Sequence, residues 1–438
     1  MSFPRNSSSL RDRRRASPYR GLAPVRPAGL RPRGLPPAGS GPAGLRGGAG
    51  RPAWPPRSLP RRILASCARL RKLDWILLAA VLALGLVGTL LVWSATQPSL
   101  LQAGADPRAY LKKQLLNIGL GLILMLAVST LDYRQLRLLA PIGYGLSCLG
   151  LVVVLTPLGS VVNGAHSWIS LPGGFQLEPS EYAKLSIVVV AAMILGELRP
   201  GDDRPRMRAV MAAVACSAVP LILVVLQPDL GVTILMMTML AGLVVLSGIR
   251  LRWLAALAAA GGAGAVAAVN LHLLKSYQLS RLTSFMNPSA DPRGTGYSAA
   301  QSKIAIGSGG LLGHGLFHGP LTAGNFVPEQ HTDFIFSVAG EELGFAGAAV
   351  IIALLAVVFL RALRIAAQAD DQFGMLVAAG IAIWFAVQSF VNIGMTIGIM
   401  PVTGLPLPFV SYGGSAMFAD MIAIGMLQAV HRHLSIFS

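Results

Sequence analysis

Residues 74–95 read DWILLAAVLALGLVGTLLVWSA. After Asp74 the stretch carries no charge, and its length matches about one helical crossing of a bilayer's hydrocarbon core. Similar blocks recur at about 115–130, 138–158, 182–198, 207–226, 231–248, 251–273, 334–359, 373–391 and 415–430. The pattern predicts an all-α polytopic membrane protein of about ten transmembrane helices, with a long extracytoplasmic loop between spans seven and eight. Composition agrees: 54% of the 438 residues are hydrophobic and 12% are charged, against roughly 25% charged in a water-soluble domain. A soluble globular protein and a wholly disordered chain are both excluded. Cys67, Cys148 and Cys216 stand far apart and match no metal-ligand spacing or disulfide framework.

The formal net charge of +18 is unevenly placed. Residues 1–73 hold 17 Lys and Arg and one acid, Asp12, which leaves +2 for the rest. This segment is rich in Arg, Pro, Gly, Ala and Ser and has no hydrophobic period, so it buries too little apolar surface to offset the entropy of ordering. It is expected to be a disordered basic cytoplasmic tail that helps fix topology and meets anionic membrane lipids. A cleaved signal peptide would have a far shorter basic region. No folded element accompanies the arginines, so nucleic acid is not an expected partner. With the tail in the cytoplasm and the spans alternating, eleven basic loop residues fall inside and seven outside, as the positive-inside rule requires. Both termini are then cytoplasmic, 431–438 being the short C-terminal end of the chain.

The loop from about Lys275 to Asp333 is too long for a plain connection and too varied for a linker, which marks it as functional. Ala299–Ile306 within it reads as a short helix. Asp291 lies there in Asn287-Pro288-Ser289-Ala290-Asp291-Pro292, where the following proline disfavours helix. On its own, such an aspartate is either a turn residue bonded to nearby amides or a catalytic acid–base. Glu181 and Lys184 are three apart on one helix and share a face. An ion pair within the membrane is expected, serving either structure or substrate. Asp229 begins a helix and suits its dipole. Trp168 and Tyr412 are interfacial anchors or sugar-stacking rings. Ser411-Tyr412-Gly413-Gly414 gives a backbone able to approach a phosphate. Pro401, Pro406 and Pro408 indicate an irregular segment buried in protein. Glu329, His331 and Asp333 cluster at the loop's end, either as ligands of a divalent cation or as hydrogen-bonding residues that fasten the loop. Glu341, Glu342 and Asp420 are ionisable with no role assigned.

Four stretches exceed what a generic bundle needs: NGAHSWISLPGGFQLEPSEYAK (163–184), QPDLG (227–231), the loop stretches 281–316 and 327–345, and NIGMTIGIMPVTGLPLPFVSYGGS (392–415). Together they closely resemble the SEDS family (shape, elongation, division and sporulation), over about residues 74–430. Asn392-Ile393-Gly394-Met395, Gly404-Leu405-Pro406-Leu407-Pro408 and the 301–310 stretch look more like its RodA members than its FtsW members. Two departures are Glu178 before Pro179, where the family usually has Gln, and Ser298 after Gly296-Tyr297, where it usually has Gln.

The resemblance implies a peptidoglycan glycosyltransferase that polymerises lipid II onto a growing glycan strand at the outer face of the cytoplasmic membrane. It identifies Asp291 as the catalytic general base. An α-linked diphosphate becoming a β-1,4 bond is an inversion, so one displacement and one base suffice, without the carboxylate pair of a retaining glycosidase. Arg281 and Lys303, with Lys275, would neutralise the leaving diphosphate, or a divalent cation such as Mg2+ or Mn2+ would. Glu181, Lys184, Trp168, Ser411 and Tyr412 are the further substrate-binding candidates. The implied partner is a class B penicillin-binding protein, a transpeptidase. Other readings are a lipid II flippase, for which intramembrane charges and broken helices speak, a division-specific polymerase and a recruiting scaffold.

Overall fold

The computed structural model describes residues 73–162, 165–171, 175–197, 204–270, 285 and 294–437. All of these belong to one compact unit, Ser58–Ser438. The expected basic tail, apart from Leu73, lies outside the described residues, as do Lys275, Arg281 and Asp291.

Three helices open the fold: α1 (Trp75–Gln102), α2 (Ala109–Thr130) and α3 (Tyr133–Val154). A three-stranded antiparallel meander follows: β1 (Gly159–Val162), β2 (Ala165–Leu171) and β3 (Phe175–Leu177), in the order β1-β2-β3. Then come α4 (Pro179–Leu195), α5 (Met207–Leu226), α6 (Leu230–Leu246) and α7 (Leu251–Asn270). Two helices, α8 (Thr295–Ser308) and the one-turn α9 (Pro320–Ala323), occupy the long connection. The chain closes with α10 (Ile335–Glu342), α11 (Gly344–Gln368), α12 (Gln372–Ile397) and α13 (Gly414–Phe437). Among the described residues, α1, α2, α3, α5, α11 and α12 are long and apolar enough to cross a membrane. The other predicted blocks correspond to α4, α6, α7 and α13.

Two expectations need correction. The fold is mostly helical but not all-α, because β1, β2 and β3 form a sheet. The eighth apolar block is not one helix over 334–359: α10 ends at Glu342 and α11 begins at Gly344, whose φ is +66°. That left-handed conformation favours glycine. An added Cβ there would run into Gly313 N, so glycine also permits the loop to pass the helix break. The short helix expected at 299–306 is present, as the middle of α8.

The core sits on α4 and α12, which are buried along most of their length. Gly380 of α12 lies against Val188 of α4 and Leu243 of α6, so a missing side chain sets the helix spacing. Polar side chains tie one end of the bundle. Asp74 caps α1 by accepting from Leu77 N at 3.1 Å. Its Oδ2 also accepts from Arg361 Nε at 2.8 Å and Nη2 at 2.6 Å. Gln428 of α13 bonds both the N–H and the carbonyl of Asp74. Arg432 donates to the carbonyls of Thr130 and Leu131, closing the C-terminus of α2.

Candidate functional site

At the opposite end of the bundle three irregular segments meet: the sheet region, residues 327–334, and residues 398–413. Each is held by side chains from the helices.

The sheet leads directly into α4. Ser415 at the start of α13 accepts from Glu178 N at 3.0 Å and donates to Gln176 O at 3.0 Å. The departure Glu178 accepts from Ser180 Oγ at 2.7 Å. Trp168 lies on β2, half-buried, opposite Ser160. One turn into α4, Glu181 and Lys184 form the expected pair at 2.6 Å, with side chains 1% and 0% exposed. Lys184 Nζ donates to Gln388 Oε1 at 3.2 Å and sits 4.8 Å from the Trp384 ring centre. Gln388 also accepts from Trp384 Nε1 at 2.6 Å and donates to Pro406 O at 2.8 Å. The buried pair is thereby linked through α12 to the proline segment.

That segment, expected to be irregular, has no regular secondary structure from Pro401 to Leu407. Asn392 Nδ2 donates to Leu405 O at 2.7 Å and to Asp333 O at 2.8 Å, joining it to the end of the long loop. Ser411 Oγ accepts from Leu407 N at 2.8 Å and donates to Thr332 O at 2.6 Å. Tyr412 N donates to His331 O at 3.0 Å. Gln114 of α2 donates to Ser411 O at 3.3 Å. Asp420 of α13 accepts from Phe409 N at 3.4 Å, where Phe409 holds a φ of +63°. Above these bonds three rings converge: Tyr110–Tyr412 at 4.8 Å and Tyr110–His331 at 5.2 Å, both edge-on, and His331–Tyr412 at 5.8 Å. Burial pushes the His331 ring below its usual pKa, with the Glu329 charge opposing, and burial raises the Tyr412 hydroxyl.

The acids at the helix break also have work to do. Glu341 accepts from Leu321 N, Thr322 N and Thr322 Oγ1 at 2.6–3.0 Å, holding α9 against α10. Glu342 accepts from Ser94 Oγ at 2.5 Å, and that oxygen accepts from Phe317 N at 3.0 Å. Gln330 donates to Ala95 O, Thr322 O and Asn325 Oδ1. Ser302 of α8 donates to Thr396 O of α12 at 2.8 Å.

The structure thus brings Ser411, Tyr412 and His331 together and buries Glu181 with Lys184 beneath the same segment. Lys303 is exposed on α8 beside Gly398. Glu329, His331 and Asp333 do not converge as the cation site proposed for them. Glu329 is exposed and accepts from Thr332 Oγ1 at 3.3 Å, while His331 is packed among the tyrosines. Among the described residues no group of three or more His, Cys, Asp or Glu side chains is placed to hold a metal ion. The backbone carbonyls of His331 and Asp333 accept from Tyr412 N and Asn392 Nδ2. Sequence reasoning missed Tyr110, Gln114, Gln388 and Asn392. The available signal was an amide or a helix-start aromatic in or beside an apolar block, where each polar group requires a partner.

Residues 72–436 match the cell cycle protein family FTSW_RODA_SPOVE. The chain is 38% identical over 368 residues to the peptidoglycan glycosyltransferase MrdB of Escherichia coli (strain K12), covering 84% of this chain and 95% of that protein. It is 36% identical over 380 residues to the probable peptidoglycan glycosyltransferase FtsW of Trichlorobacter lovleyi, covering 85% and 97%. Among solved structures, one described as structural coordination of polymerization and crosslinking by a peptidoglycan synthase complex superposes with a TM-score of 0.67. It is 30% identical, over 83% of this chain and 98% of that one.

Proposed function

The chain belongs to the cell cycle protein family of FtsW, RodA and SpoVE and is a peptidoglycan glycosyltransferase; we propose that it polymerises lipid II into β-1,4 glycan strands by an inverting displacement with Asp291 as general base. The observation that carries this reading is identity to glycosyltransferases over nearly their whole length, with the Asn287–Pro292 motif intact in the long loop.

In this mechanism the acceptor sugar's 4-hydroxyl gives its proton to the Asp291 carboxylate as its oxygen attacks the donor's anomeric carbon. The C–O bond to the diphosphate breaks, and the diphosphate leaves with the electron pair. Arg281 and Lys303 neutralise that charge. A divalent cation would supply the same neutralisation, but the described residues show no ligand set for it. Asp291 lies four residues before Thr295, where α8 starts, and α8 is bonded to α12 through Ser302.

The protein lies in the bacterial inner membrane, with ten crossings, both termini cytoplasmic and the reaction on the outer face. The excess of arginine on the cytoplasmic loops supports that orientation. A class B penicillin-binding protein is the partner, since the matched synthase complex couples polymerisation to crosslinking. The Asn392–Met395 and Gly404–Pro408 stretches favour the elongation role over the division role. A flippase is the second reading, and the buried Glu181–Lys184 pair is what favours it.

The test uses the purified full chain in liposomes, with its transpeptidase partner and labelled lipid II. Polymer is expected from the wild type, and Asp291→Asn is expected to abolish it while lipid II binding persists. Normal polymerisation by the variant sinks the assignment of the base. Transbilayer movement of lipid II without polymer sinks the transferase reading itself.

A further inference from the structure

The first turn of α2 carries charge of the wrong sign for its position. Arg108 caps the helix, Lys112 and Lys113 follow, and no acidic residue lies in the first turn, although the positive end of a helix dipole disfavours cations. Asp106 pairs with Lys112 at 2.7 Å, accepts from Arg108 N at 3.0 Å and also feels the Arg108 charge. Lys113 has no acidic partner among the described residues. Its ammonium stands 5.9 Å from the centre of the Tyr110 ring, the ring that enters the cluster with His331 and Tyr412.

Two further features accompany the cations. The three rings come from three separate elements, and each is only partly buried, so the cluster presents aromatic surface instead of sinking into the core. Beneath it, Gln114 is 0% exposed, spends its N–H on Ser411 O and leaves Oε1 without a partner. A buried acceptor left unmade is costly, and a hydroxyl donor would satisfy it.

Partly open rings, a buried acceptor and an exposed cation with no acidic partner among the described residues together suit one kind of ligand: a polyhydroxylated ring attached to an anion. We propose that Tyr110, His331, Tyr412, Gln114 and Lys113 form a saccharide-diphosphate subsite, in which the aromatic surface takes a pyranose ring, Gln114 accepts from a hydroxyl and Lys113 faces the diphosphate. The inference rests on the glycosyltransferase reading and assigns part of its substrate site to the start of α2. The same anionic chemistry has a second source in phospholipid headgroups, and the test separates the two.

The test measures initial polymerisation rates of the full chain with its partner against lipid II concentration, in vesicles of phosphatidylcholine alone and with added phosphatidylglycerol. Binding of a fluorescent short-chain lipid II analogue is followed in the Asp291→Asn background. Loss of one charge-assisted contact of about 1.5 kcal/mol corresponds to a roughly tenfold weaker interaction. Lys113→Ala is expected to raise KM and the analogue's Kd by about that factor with kcat little changed, and Lys113→Arg is expected to restore both. Tyr110→Leu, which keeps apolar bulk, is expected to weaken analogue binding in the same direction. An active wild type whose KM and analogue binding are untouched by Lys113→Ala and Tyr110→Leu overturns the subsite and leaves the transferase reading intact. A Lys113→Ala effect that appears only with phosphatidylglycerol also overturns it, because the cation then serves the headgroups. A wild type without polymerase activity overturns the parent reading instead.

Discussion

Removing the charge of Lys184 tests the buried centre most sharply. Its ammonium is fully enclosed, 2.6 Å from Glu181 and 3.2 Å from Gln388. Asp420, 2% exposed on α13, interacts electrostatically with both members of the pair. The ammonium also bonds Gln388 and faces the Trp384 ring, so the two halves of the pair are not equivalent. Lys184→Met leaves Glu181 and Asp420 enclosed with no cation, for which a loss of about 3–5 kcal/mol is expected. Glu181→Gln leaves Lys184 with Gln388 Oε1 and the Trp384 ring as its remaining partners, so the loss should be nearer the roughly 1–3 kcal/mol of an imperfectly satisfied buried group. Because the residues touch, the double variant should cost less than the sum of the singles. The assay is equilibrium unfolding of the purified full chain in mixed micelles, with increasing SDS in a mild detergent. Equal losses for the two single variants, or a Lys184→Met loss under about 1 kcal/mol, would refute this asymmetry.

The other expectations can be measured with the same preparation. Gly344→Ala places a Cβ against Gly313 N at a φ of +66°, and a loss of about 1–3 kcal/mol is expected from overpacking and strain together; an unchanged unfolding midpoint would contradict the helix break. Asn392→Leu removes the donor shared by Leu405 O and Asp333 O. It should cost about 1–3 kcal/mol for each carbonyl left unmet and increase proteolysis within residues 401–413. Burial holds the His331 pKa below its ordinary value of 6.5. Its contribution to stability is therefore complete above pH 6.5 and is lost as the pH falls through the lower folded value. Unfolding midpoints of the wild type should drop across that acid range more steeply than those of His331→Gln, and parallel curves would refute the assignment.

Helix placement was legible because an apolar run of about 20 residues has few other solutions in a membrane protein. The sheet was not, though its signs were present: Asn163-Gly164 is a two-residue hairpin signal, Pro172-Gly173-Gly174 is a turn signal, and 165–171 is rich in strand formers. These strands fill a short connection between two helices, where only hairpin chemistry distinguishes them from a loop. The break at Gly344 was hidden for a different reason. Apolar character continues through 334–359, and only the contact between Gly344 and Gly313, 31 positions apart in sequence, explains the change of direction. The Glu181–Lys184 pair could be read from spacing alone. The partners of Ser411 and Tyr412, which lie about 80 residues away in Thr332 and His331, could not.

The proline segment shows how an irregular backbone is accommodated among apolar helices. Pro401, Pro406 and Pro408 each lack an N–H, so the segment has more hydrogen-bond acceptors than donors. Apolar surroundings cannot satisfy the excess carbonyls, and irregular backbone at such depth persists only where protein groups do so. The neighbouring helices supply the missing half: Gln388 donates to Pro406 O, Asn392 to Leu405 O and Gln114 to Ser411 O. The two N–H groups at Leu407 and Phe409 meet acceptors, Ser411 Oγ and Asp420 Oδ2. Amides therefore face proline-rich carbonyls, and a hydroxyl and a carboxylate face the remaining N–H groups. A carboxylate at 388 or 392 would keep the size of the side chain and lose the donor. The choice of Gln and Asn over Glu and Asp at these two positions of a largely apolar helix thus follows from the prolines that face them.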